Sequence, residues 1–240
     1  MGIGSKTAKS GFTSEERFID LVNNNQDFSN AIKKFIGLDS NALLSAQDIK
    51  GTEKGDVLLS YLDDSIKVSI KKSTANFSQL DRRWLTNLKD AINMPQNIFE
   101  FLSEGLDSMR LNKPNKMLIQ PQYSDKISEY FTRNLEPFLN EVFTRNDEKV
   151  KYFVVYNPDV ATWYLYNMKE IIDFVSEATV SVTSKGVLRI GDYISVQRKG
   201  GDGNYTKVPK DHPLHPSNQL QTKIKPLSIV NNYQGFTIKE

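Results

Sequence analysis

Between residues 51 and 71 the hydrophobic pattern changes period, and this change constrains the chain more than any other feature. Gly51-Thr-Glu-Lys-Gly55 reads as a turn, residues 56–62 form an apolar run, Asp63-Asp64-Ser65 reads as a second turn, and residues 66–71 alternate apolar with polar. Period two over two short runs joined by turn residues predicts a β-hairpin. Around it the period is helical. Thr13 or Ser14 is placed to cap a helix whose first turn holds Glu15 and Glu16 and whose apolar stripe is Phe18, Ile19, Leu21 and Val22. Further helices are expected over 28–36, 79–92, 96–106 and 124–144, the last interrupted near Pro137. Strands are expected over 152–156 and 162–166, then a short helix over 168–175. Short strands follow over 180–183, 187–190, 193–197 and 220–224, with a polar Gly- and Pro-rich loop over 200–217 read as solvated. The fold class is therefore mixed α/β (α+β), with no internal repeat.

A chain of 240 residues that is 38% hydrophobic can bury a real core and lies near the upper size of one domain. The expected organisation is a single domain over 1–240, with a core over 1–175 and a β-rich region over 176–240. With no cysteine, a disulfide framework, a Cys-based zinc site and a thiol nucleophile are excluded, which suits a reducing compartment. The N-terminus lacks an apolar signal-like region, and no stretch approaches the ~18 apolar residues that span a bilayer. The expectation is a soluble, cytoplasmic protein. The net charge is only +2, but its distribution is uneven. Residues 183–225 hold eight basic side chains (Lys185, Arg189, Arg198, Lys199, Lys207, Lys210, Lys223 and Lys225) against three acidic ones, Asp192, Asp202 and Asp211. Such an excess suits phosphate contacts, and suits an ordinary solvated face equally well.

In the hairpin, period two places Lys67, Ser69 and Lys71 on one face of the second strand and Val68 and Ile70 on the other. The turn can then bring Lys71 to Asp56 at the start of the first strand. A carboxylate and an ammonium so placed can hold a divalent cation and a water beside a phosphodiester. The Ile70 carbonyl offers a further oxygen to the metal, and Glu15 on the first helix a further carboxylate. On spacing alone, an exposed ion pair fits the same residues.

Gly51-x-x-x-Gly55-Asp56 followed by Ser69-Ile70-Lys71 resembles the PD-(D/E)xK nuclease core. Three more blocks sharpen the likeness: Gly4-Ser-Lys-Thr-Ala-Lys-Ser-Gly-Phe12, Asn76-Phe-Ser-Gln-Leu-Asp-Arg-Arg-Trp-Leu85, and Ile194-Ser-Val-Gln-Arg-Lys-Gly-Gly-Asp-Gly203. Together they resemble the HinP-type type II restriction endonucleases that cut GCGC, relatives of the MspI-like group. The resemblance covers nearly the whole chain and is weakest from about 95 to 150. It implies a mixed central sheet flanked by helices, with a β-rich C-terminal region for DNA recognition. It implies Mg²⁺ as cofactor, Asp56 as metal-binding aspartate and Lys71 as catalytic lysine. Ser69 departs from the family, where Asp, Glu or an amide stands. The resemblance also implies 5′-phosphate ends with short 5′ overhangs and a companion DNA methyltransferase.

By the same resemblance Gln79 approaches DNA from a helix after the hairpin; Arg82 and Arg83 read equally as phosphate contacts or as side chains facing water. Trp84, at helical spacing from Leu80 and Leu88, reads as core. Guanine's O6 and N7 suit Arg or Lys, and cytosine's N4 suits a carboxylate or an amide oxygen. Gln197, Arg198, Lys199 and Asp202 supply all of these, and Gln219, Gln221 and Lys223 alternate on one face of the last strand. The expected partner is double-stranded DNA at a short G·C-rich palindrome, cut by a monomer or a homodimer. Two other functions use the same residues: a repair or nicking nuclease, and a sequence-specific DNA-binding protein weakened in catalysis by Ser69.

Overall fold

The computed structural model describes residues 3–51, 53–73, 77–114, 116–201 and 207–240, with side chains from Ser14 onward. In chain order the elements are α1 (Ile3–Asn24), α2 (Gln26–Ile36), β1 (Leu44–Asp48), β2 (Val57–Tyr61), β3 (Asp64–Lys72), β4 (Ser78–Arg83), α3 (Leu85–Ala91), α4 (Gln96–Arg110), α5 (Ser124–Arg133), α6 (Leu135–Thr144), β5 (Val150–Asn157), β6 (Thr162–Asn167), α7 (Met168–Ser176), β7 (Val180–Val182), β8 (Leu188–Ile190), β9 (Ile194–Arg198), β10 (Leu220–Ile224), α8 (Pro226–Asn232) and β11 (Phe236–Lys239). They form two compact units. One comprises residues 1–78, 144–172 and 225–240; the other comprises 79–143 and 173–224.

The first unit holds a six-stranded mixed sheet in the order β1-β2-β3-β5-β6-β11. Strands β2 and β3 are the expected hairpin, with Val57 opposite Val68 and Tyr61 opposite Asp64. The turn is tighter than the sequence suggests, because it consists of Leu62 and Asp63, Leu62 taking a positive φ of 50°. β3 runs parallel to β5, and the connection between them is the whole stretch 79–143 of the second unit. One face of the sheet packs on α1 and α2 through Phe18, Val22, Phe28, Ile32, Val57, Leu59, Val68, Ile70 and Trp163. Full burial of each large apolar side chain stabilises by roughly 1.5–3 kcal/mol. Trp163 stacks on Tyr156 at 4.3 Å and meets Phe18 at 5.3 Å, which fixes α1 over the sheet. Helix α2 is well signalled: Asn25 caps it by accepting from the Phe28 amide, and Gly37 closes it at φ 77°.

The second unit holds an antiparallel sheet in the order β4-β10-β9-β8-β7, with α3 to α6. Four local expectations are corrected here and in the first unit. Helix α1 begins at Ile3, so Thr13 and Ser14 lie inside it and do not cap it. Residues 79–83 lie in strand β4, and the helix starts only at Leu85. β4 borders β10, and pairing with a strand far downstream overrides the local helical preference of Gln, Leu and Arg. Trp84 is half-buried at the junction of β4 and α3. The break in 124–144 falls at Asn134, three residues before Pro137, because proline is accepted in the first turn of α6. His215 is 1% exposed, its Nδ1 2.8 Å from the Ser217 hydroxyl oxygen, so this end of the 200–217 loop is not solvated. Strands β1 and β11 and helix α8 were without clear sequence signals. Among the described residues no helix is long and apolar enough to cross a membrane.

Candidate active site

Asp56 sits immediately before β2, held by its own backbone: its amide donates to the Val68 carbonyl at 2.8 Å. The preceding Gly55 adopts φ +94°, and a Cβ there would lie 3.0 Å from Lys67 Cβ and 3.3 Å from Ile49 Cδ1. Only glycine fits that bend without strain. Lys67 secures the loop further, its ammonium bridging Glu53 at 2.7 Å and Asp147 at 2.8 Å. Neither bridge was legible from local spacing.

The Asp56 carboxylate meets the adjacent strand. Its Oδ2 accepts from the Ile70 amide at 2.6 Å, from Lys71 Nζ at 2.9 Å and from Ser69 Oγ at 3.2 Å. Lys71 Nζ also donates to the Ile70 carbonyl at 2.9 Å. A carboxylate oxygen and a carbonyl oxygen thus converge on one cationic group. Ser69 is 3% exposed and acts as a donor to Asp56. The pair is only partly shielded, with the Lys71 side chain 14% and the Asp56 side chain 24% exposed.

Glu15, on α1, belongs to the same electrostatic cluster. Its carboxyl is raised to a pKa of about 7, by burial first and then by the Asp56 charge; Lys71 opposes, and Asp48 and Glu16 add smaller upward contributions. Asp48 escaped the sequence analysis because β1 did. It ends β1 opposite Val57, the residue that follows Asp56. Among the described residues no group of three or more His, Cys, Asp or Glu side chains could hold a metal. The oxygens that could take a divalent cation are those of Asp56 and the Ile70 carbonyl, with Glu15 close enough to interact electrostatically. This fits Mg²⁺, which binds through one or two carboxylates and takes its remaining ligands from water and phosphate.

The other sequence-nominated residues lie in the second unit. Gln79 in β4 is exposed and accepts from Gln221 Nε2 of β10 at 3.0 Å. Gln221 stands opposite Gln197 of β9, and Lys223 opposite Ser195. Directly opposed residues share a sheet face, so Gln79, Gln221 and Gln197 form a row of amides across three strands. Arg198 falls on the other face of β9, where its guanidinium donates to Asn218 Oδ1 at 2.7 Å and to Ser217 Oγ at 3.2 Å. Burial, and then the charge of Arg110, lower its pKa. The Lys199 amide donates to the Gln219 carbonyl at 2.8 Å, while Gln219 Oε1 is buried without a hydrogen-bond partner. Arg82 is exposed. Arg83 is not free for phosphate: it pairs with Asp81 at 2.5 Å and with Glu141, both nearly buried. Asp202 lies outside the described residues. An apolar pocket of about 350 Å³ in this unit, lined by Trp84, Phe99, Leu106 and Leu214 among others, includes none of the nominated residues.

The comparisons with known proteins point one way. The family model described as R.HinP1I restriction endonuclease matches residues 60–230, well over half of the chain. A crystal structure of the restriction endonuclease MspI in complex with its cognate DNA superposes with a TM-score of 0.58 at 14% identity, covering 89% of this chain and 88% of that one. No curated protein sequence is significantly similar. The mixed sheet and its flanking helices thus have the restriction-endonuclease fold. The chain belongs to the R.HinP1I restriction endonuclease family and is a type II site-specific deoxyribonuclease.

Proposed function

We propose that this enzyme is Mg²⁺-dependent and cuts both strands of duplex DNA at a short G·C-rich palindrome, GCGC or a close variant. The observation that carries the reading is the convergence of Asp56 Oδ2 and the Ile70 carbonyl on Lys71 Nζ, each at 2.9 Å. Asp56, the Ile70 carbonyl and Glu15 would hold the divalent ion. The bound ion would offset phosphate charge and lower the pKa of water. Lys71 orients the attacking water and balances charge on the phosphate as the O3′–P bond breaks, leaving a 3′-hydroxyl and a 5′-phosphate. Ser69 and the Ile70 amide hold Asp56 in place.

The amide row of Gln79, Gln221 and Gln197, with Lys223, is assigned to base edges, and Arg82 and Lys199 to phosphates. Arg83 and Arg198 reach DNA only by giving up their protein partners. DNA as substrate is supported by the MspI neighbour, which was crystallised with its cognate DNA. Cutting a symmetric site takes a homodimer or two visits by a monomer, and a companion methyltransferase would protect host DNA. Run-off mapping of both strands on unmethylated plasmid of known sequence tests this. The expected termini fall at one G·C-rich palindrome with short 5′ overhangs; cuts in one strand only, or at sites without common sequence, contradict it.

A further inference from the structure

Three donors crowd onto Asp56 Oδ2, and they are not equivalent. The Ile70 amide is fixed in the β3 backbone, and the Ser69 hydroxyl sits on a short uncharged side chain of the same strand. The third, Lys71 Nζ, rides on a flexible four-carbon stem and carries the only positive charge of the three. It sits 2.9 Å from Oδ2 and 2.9 Å from the Ile70 carbonyl. Those oxygens belong to the carboxylate and the carbonyl that, in the reading above, would hold the divalent ion. Magnesium requires oxygens at about 2.0–2.1 Å, so an ion between them and an ammonium between them exclude each other.

We propose that Lys71 is a displaceable placeholder: its ammonium competes with the divalent ion for the Asp56 and Ile70 oxygens, so that ion binding and release of the lysine toward the phosphodiester are one exchange. The idea rests on the metal-site reading above. The ammonium satisfies the converging oxygens until a doubly charged ion outbids it. The lysine therefore becomes available only in a site already loaded for hydrolysis. An enzyme that must not cut before it is assembled gains from this coupling. Ser69, donating to Oδ2, adds a second competitor that an acidic residue at this position would not supply.

Calorimetric titration of the full chain with Ca²⁺ reads the exchange without turnover. Lys71→Met, checked for folding by its thermal melt, is expected to bind Ca²⁺ about tenfold more tightly than the wild type, about 1.4 kcal/mol. Lys72→Met removes an equal charge one residue along, which among the described residues makes no hydrogen bond or ion pair with Asp56, and should stay within about twofold because solvent screens it. Equal or weaker Ca²⁺ binding by Lys71→Met, no measurable binding by it at millimolar Ca²⁺, or a gain matched by Lys72→Met overturns the placeholder. Asp56→Asn separates the two ideas: wild-type Ca²⁺ affinity in that variant would refute the metal site itself, whereas lost binding there with no gain in Lys71→Met would refute only the exchange.

Discussion

Lys71 Nζ and Asp56 Oδ2 lie 2.9 Å apart across the β2–β3 hairpin, fifteen residues apart in sequence. The strand register makes this possible. Val57 opposes Val68, so the residue before β2 is delivered to the stretch Ser69-Ile70-Lys71. Every group touching that carboxylate comes from one strand, and its geometry therefore depends on how the loop before β2 is bent and anchored.

Gly55 sets the bend. Substituting alanine places a Cβ 3.0 Å from Lys67 Cβ at φ +94°, where L-residues are strained by about 1–2 kcal/mol. Gly55→Ala is expected to melt about 2–8 °C lower and to lose more cutting activity than the melt explains, because Asp56 is displaced. Cleavage assayed well below the melting temperature checks the second effect.

Glu15 sets a pH dependence of stability. Its folded pKa of about 7 lies above the ordinary 4.5. A raised carboxyl favours folding at low pH and loses that advantage as pH rises from about 4.5 to about 7. Glu15→Gln should therefore melt with the wild type at pH 4 and above it at pH 8. A melt difference that is the same at both pH values would contradict the assigned burial and its Asp56 repulsion.

Arg82 and Arg83 are neighbours with opposite roles. Arg83→Met takes the guanidinium from two buried carboxylates, Asp81 and Glu141, and should cost about 3–5 kcal/mol, seen as a much lower melt. Arg82→Ala should leave the melt unchanged and reduce the salt slope of DNA binding by about one. Binding in Ca²⁺ at several salt concentrations distinguishes them.

The hairpin was legible because its signal is local: alternation over 66–71, an apolar run before it and turn residues between. Glu15 was legible as a helical carboxylate, though its raised pKa depends on burial, then on Asp56, and to a lesser degree on Asp48, a residue in a strand without a sequence signal. β4 was misread as helix because its partner β10 lies about 140 residues downstream, and no local pattern announces that pairing. The same holds for Arg83, whose partner Glu141 is 58 residues away. The two units were invisible to a linear reading since each is assembled from separated stretches, and residues 225–240 return to the first unit's sheet. Short-range period shows strands and helices; it carries no information on which distant strand completes a sheet.

Asp56, presented to Lys71 by the hairpin, is proposed as the centre of hydrolysis. Cleavage of unmethylated plasmid by Asp56→Asn in Mg²⁺, beside the wild type and with DNA retardation in Ca²⁺ as the folding control, tests it most directly. A loss of roughly a thousandfold in cutting rate, about 4 kcal/mol of transition-state stabilisation, is expected in a variant that still folds and still retards its DNA site. Cutting at a rate near the wild type by that variant would contradict it.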